Sequence, residues 1–78
     1  MQRIHVKFDS VEQASRFVRI VSKYDGDFDL YRGSHCVDAK SILGVMTLGL
    51  RSNMMMLSNC DSRENDKLIS ELGDVVVA

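Results

Sequence analysis

Arg3-Ile4-His5-Val6-Lys7-Phe8-Asp9-Ser10-Val11-Glu12-Gln13-Ala14 is the stretch on which the fold turns, because the apolar period changes inside it. Ile4, Val6 and Phe8 alternate with Arg3, His5 and Lys7, the period-two signature of a half-buried strand. Ser10 to Gln13 then reads as a capping box, in which the Ser10 hydroxyl and the Gln13 side chain satisfy free backbone donors. Val11, Ala14, Phe17, Val18 and Val21 follow at spacings of three and four, and leave Glu12, Arg16, Arg19 and Lys23 outward. The pattern predicts a helix from about Val11 to Lys23.

Beyond it, Asp25-Gly26 predicts a turn, and Phe28 and Leu30 alternate with Asp27 and Asp29 in a second strand ending near Tyr31. Arg32-Gly33-Ser34 reverses the chain into a brief third strand at His35-Cys36-Val37. Lys40 to Leu48 is helical in pattern, and Gly49 stands where that helix would stop. Met54-Met55-Met56-Leu57 is apolar on both faces and suits a central strand covered on one side. Asp61 and Glu64 form a second capping box. Leu68, Ile69 and Leu72 give the last helix a buried stripe that Gly73 ends, and Val75-Val76-Val77 is an apolar tail that packs on the body or stays sticky. Three helices and four strands share one core in so short a chain as two layers, so an α+β sandwich is expected. A ferredoxin-like split unit is the nearest rival, and it does not require the final helix.

Composition narrows the function classes. The 78 residues suit a single domain, 1–78, and 45% apolar with 27% charged residues is ordinary for a globular chain. A formal net charge of -1 offers no general attraction to nucleic acid or anionic lipid. No apolar run approaches a bilayer span and the first residues lack a signal-peptide core, so a soluble, cytoplasmic protein is expected, with no membrane partner. Cys36 and Cys60 read first as small, mostly apolar side chains, ahead of a disulfide and then of a metal pair.

No catalytic constellation stands out, and neither an enzyme nor a cofactor is expected. His5 and His35 are the only histidines, and neither opens a helix. Asp25, Asp27 and Asp29 imitate the start of a calcium loop, but loop positions six and twelve hold Leu30 and Cys36 in place of Gly and Glu. Met54, Met55 and Met56 are best read as core filling. Ile42, Leu43, Val45, Met46 and Leu48 cannot all face inward in so short a helix, so part of it presents apolar side chains outward. Ser41 opens that helix as a cap, and a phosphate there would meet free amides and the positive helix end.

Ser22-Lys23-Tyr24-Asp25, and above all Lys40-Ser41-Ile42-Leu43-Gly44-Val45-Met46-Thr47-Leu48-Gly49-Leu50, resemble the HPr family, phosphocarriers of the bacterial sugar phosphotransferase system. The match runs from Ser22 to about Leu50; from there to Leu72 only element order carries it. The resemblance implies an open-faced sandwich, a four-stranded antiparallel sheet covered on one face by three helices. It also implies Ser41 as the site of an ATP-dependent HPr kinase, with Lys40, Ile42, Leu43 and Met46 as the patch partners bind. Such partners are a catabolite-control transcription regulator or a metabolic enzyme. Asp38, one turn before Ser41, would repel a phosphoserine.

The first third departs from the family. A working HPr carries Gly, Ile or Leu, His, any residue, Arg, Pro and Ala at the start of its first helix, and that histidine relays the phosphoryl group. Counting back without gaps from Ser22 puts Ser10 at the histidine and Glu12 at the arginine, and no His or Arg lies between Phe8 and Ser15. Serine without a base is a poor nucleophile and Glu12 repels phosphate, so relay is not expected. The leading expectation is a regulator acting through Ser41. Behind it stand a constitutive module, self-associating through the short helix and the Val75–Val77 tail as a weak homodimer, and last a residual carrier using Ser10 or His5.

Overall fold

The computed structural model describes residues 1–77. Strand β1 (Gln2–Val6) leads into helix α1 (Val11–Val21), strands β2 (Phe28–Arg32) and β3 (His35–Asp38), helix α2 (Ile42–Thr47), strand β4 (Met54–Ser58) and helix α3 (Ser62–Leu72), followed by a 3-10 turn at Gly73–Val75. The strands form one antiparallel sheet in the order β1-β4-β2-β3, with registers Ile4↔Met56, Leu30↔Met56 and Leu30↔Val37. This is the expected open-faced sandwich, and α3, which the rival unit does without, packs on α1 and β1.

Alternation along the strands decides what the helices cover. Ile4, Val6, Met54, Met56, Phe28 and Leu30 point into the core with Phe17, Val21, Val45, Leu68 and Leu72 from the helices. The Phe8 and Phe17 rings lie 4.9 Å apart, tilted, and lock the chain before α1 to its buried face. Arg3, His5, Met55, Leu57, Asp29 and Tyr31 occupy the opposite face, which no helix covers.

Several expectations need correction. Helix α1 stops at Val21, because the Lys23 and Tyr24 amides turn back to the carbonyls of Ile20 and Val21 as the chain tightens toward Gly26. Val11, expected in the buried stripe, is 53% exposed at the first turn, and Arg16, expected outward, is half-buried against α3. Ile69 is 36% exposed while Asn65 is buried, since the inward row of α3 runs 65, 68, 72 and places residue 69 about 100° off Leu68. Helix α2 is shorter than its pattern, for Lys40 and Ser41 belong to the turn that precedes it. Both cysteines are free, Cys36 exposed and Cys60 buried.

The apolar tail is packed on the body. Lys7 N–H donates to the Val75 carbonyl and Val77 N–H to the His5 carbonyl, both at 2.9 Å, while Val6 and Val76 form a bridge. These bonds satisfy the outer edge of β1. The tail therefore does not hang free for self-association.

Candidate functional site

The entry to α2 is built by a turn that begins at Asp38. Its carboxylate accepts from Lys40 N–H at 2.9 Å and its carbonyl from Ser41 N–H at 3.0 Å. Ser41 then leaves the chain extended, at φ -104° and ψ 112°, and its hydroxyl oxygen accepts from Gly44 N–H at 3.2 Å. Gly44 is required by closeness, because a Cβ there would stand 3.2 Å from the Val37 Cβ of β3. The helix is thereby laid against the sheet with one side buried, Val45 and Leu48, and the other in solvent.

Ser41 is half-exposed, and beside it Ile42 is 39% and Leu43 80% exposed, with Met46 half-buried against the core one turn on. Burial of Val45 and Leu48 leaves the remaining apolar residues of a six-residue helix no room inward. Lys40 is drawn away from this group. Its ammonium donates to the Tyr24 and Gly26 carbonyls at 2.6 and 2.9 Å and lies 5.2 Å from the centre of the Phe28 ring. It straps the turn after α1 to the turn before α2.

The entry to α1 is capped in the same way. Ser10 is extended, at φ -147° and ψ 162°, and its hydroxyl accepts from Gln13 N–H at 3.2 Å. The Gln13 carbonyl oxygen reaches back to Asp9 N–H at 2.7 Å, one residue earlier than a capping box requires. Glu12 is exposed in the first turn, where its charge suits the positive helix end and opposes an incoming anion. His5 stands on the uncovered sheet face and His35 on β3, so neither histidine is on α1.

Three residues beside these entries escaped the sequence reading. Arg51 N–H donates to the Phe8 carbonyl at 2.7 Å, which ties the chain after α2 to the chain before α1, and Arg51 takes a positive φ of 63° to do so. Leu50 is 37% exposed beside it, and Val11 is exposed at the start of α1. Only the missing room around α2 and the loop after Gly49 hinted at such exposure.

Shifted titration lies elsewhere, in the cleft between the end of α1 and α3. Burial, then the hydrogen bond its hydroxyl donates to Glu71, pushes Tyr24 up to about 12. Lys23, 2.6 Å from Glu71, and then Tyr24 hold the Glu71 carboxyl below the usual range. These groups are paired with one another and act as a strut. Among the described residues no group of three or more His, Cys, Asp or Glu is placed to hold a metal ion, and no helix is long and apolar enough to cross a membrane.

Comparison with known proteins agrees with this arrangement. In solved structures the chain is similar to HPr-C-His from Thermoanaerobacter tengcongensis (TM-score 0.75, 24% identity, 97% of this chain and 91% of that one). It is similar also to the phosphocarrier protein HPr from Bacillus anthracis (TM-score 0.71, 20% identity, 97% and 96%). A histidine-containing phosphocarrier protein from a mycoplasma matches with TM-score 0.70 at 14% identity, over 95% and 90%. At these identities the likeness shows the fold. Residues 11–77 match the family model described as the PTS HPr component phosphorylation site, which spans most of the sequence, and by that match the chain belongs to the HPr family.

Proposed function

We propose that this member of the HPr family is a regulatory binding protein and not a histidine phosphocarrier, and that it acts through protein contacts at α2 governed by phosphorylation of Ser41. The observation that carries the reading is the 80% exposure of Leu43, two residues from a half-exposed cap serine. An apolar surface beside a serine is a place where a phosphate changes docking without unfolding the chain, since the phosphoryl group falls at the helix start. Ile42, Leu43 and Met46 form the docking group, joined by Leu50, and Lys40 contributes its stem and the turn that it straps.

Loss of relay rests on the α1 entry, where Ser10 has no base on its helix and Glu12 repels phosphate. The chain is then a non-enzyme acting as a single domain in the cytoplasm. Its partners are an HPr kinase, and a transcription regulator or metabolic enzyme that receives the exposed side of α2.

Intact-mass spectrometry after two incubations tests this, one with ATP and HPr kinase and one with phosphoenolpyruvate and enzyme I. The expected result is one phosphate from the kinase alone, mapped to Ser41, absent in Ser41→Ala and retained in Ser10→Ala. Labelling by phosphoenolpyruvate and enzyme I, or no label from the kinase, overturns the reading.

A further inference from the structure

The sheet face that no helix covers carries two cross-strand rows. One runs Arg3, Leu57, Asp29, Asp38 and the other His5, Met55, Tyr31, Cys36, from β1 through β4 and β2 to β3. Leu57, Met55 and Tyr31 are half-buried in the middle, so the face has an apolar centre, a basic side at β1 and an acidic side at β2 and β3. Asp29 and Asp38 are directly opposite one another, and like charges so placed destabilise a strand pair. Among the described residues the ion pairs are Arg16–Asp74 and Lys23–Glu71, and neither relieves this face.

We propose that two copies of this chain pack uncovered face to uncovered face, about a two-fold axis parallel to the strands and midway between β4 and β2. That rotation lays β1 over β3 of the second copy, and β4 over its β2. Arg3 then meets the Asp38 and Asp29 carboxylates of the second copy, and Met55 meets its Tyr31. Each contact occurs twice, as a two-fold interface requires. A two-fold perpendicular to the strands would lay β1 on β1 and acid on acid, so charge selects the axis. Two sheets packing this way keep their strands within about 30° of each other.

The face measures roughly 19 by 17 Å, from four strands about 4.8 Å apart and five residues of about 3.3 Å each. Contacts of that size fall in the weak, transient class. The exposed side of α2 lies on the other layer and remains free in such a pair, so this association is independent of Ser41 and its neighbours.

Sedimentation equilibrium from about 10 µM to about 1 mM protein tests the proposal. The weight-average mass of the unaltered chain is expected to rise from one chain toward two, less so at high salt. Arg3→Glu and Asp29→Arg, both at exposed positions and checked for folding by circular dichroism, are each expected to weaken the association about tenfold or more. Asp29 is chosen over Asp38 because the Asp38 carboxylate also holds the turn before α2. An equimolar mixture of the two variants is expected to recover the association, since the two charge reversals, one on each copy, again set opposite charges across the interface. Concentration-dependent amide shifts are expected at Arg3, Tyr31, Met55 and Leu57. A monomer at every concentration, a dimer insensitive to both swaps, failure of the mixture to recover, or shifts confined to α2 would each overturn it.

Discussion

The guanidinium of Arg16 donates to the Leu72 carbonyl at 2.9 Å, and the same nitrogen lies 3.0 Å from the Asp74 carboxylate. A side chain of α1 thus closes the last turn of α3, where carbonyls lack partners within the helix. The turn at Gly73–Val75 follows, and with it the segment bonded to β1. Arg16→Ala is expected to speed hydrogen exchange at the Lys7 and Val77 amides by about tenfold, with the β4 amides unaffected. Native-state exchange by NMR reads this directly.

The strut between Tyr24 and Glu71 predicts two pH limbs. Tyr24 is raised to about 12 in the folded chain, so the stability it contributes is whole below about 10 and is lost as pH rises through 12. Glu71 is lowered, so its contribution is present above about 4.3 and is lost as pH falls through its depressed pKa. Urea denaturation across pH is expected to show a flatter alkaline limb in Tyr24→Phe and a flatter acid limb in Glu71→Gln, each relative to the unaltered chain.

Helix α2 divides its leucines between packing and surface. Leu48 is 2% exposed, and Leu48→Ala is expected to cost about 2–5 kcal/mol in urea denaturation. Leu43→Ala is expected to stay within about 0.5 kcal/mol while abolishing capture of the α2 partner.

Ser10 and Ser41 make equivalent caps, each accepting from an amide three residues on at 3.2 Å. Substitution of either by Ala is expected to cost about 1 kcal/mol, and of either by Asp to cost little, because Asp caps as well as Ser. Thermal unfolding of the four variants checks the equivalence.

Asn65 occupies an inward position of α3 and is 8% exposed, and its side-chain carbonyl has no hydrogen-bond partner. Asn65→Leu, of similar shape, is expected to stabilise the fold by about 1 kcal/mol. A shift of the urea midpoint with unchanged slope is the expected reading.

The features legible in sequence are local ones. The strand at Ile4 and Val6, the caps at Ser10 and Asp61 and the stop at Gly49 depend on residues within four of each other, and the chain forms them nearly where periodicity places them. Crowding of α2 was equally legible, because a count of apolar residues against available turns needs no tertiary knowledge. Arg16 and Lys40 were not legible, since their partners are main-chain carbonyls, which leave no trace in residue identity. The Val11 and Ile69 exposures were missed for a related reason. Spacing marks a stripe, but its width and end are set by the neighbouring helix and loop. Of the α2 group, Ser41, Ile42 and Leu43 were visible in sequence, whereas Leu50 and Arg51 enter only because the chain returns to Phe8.

The segment after α3 has a bearing on how the molecule ages. Val75 to Val77 occupies the hydrogen-bonding groups on the outside of β1, which leaves β3, with exposed His35 and Asp38, as the open side of the sheet. A protease that trims the chain before Val75 would spare every helix and strand, yet would bare the backbone of β1 beside an apolar core. Clipped molecules would then recruit one another through that bare strand. This short segment serves the protein as a guard against fibrous association, a hazard that intact chains are spared.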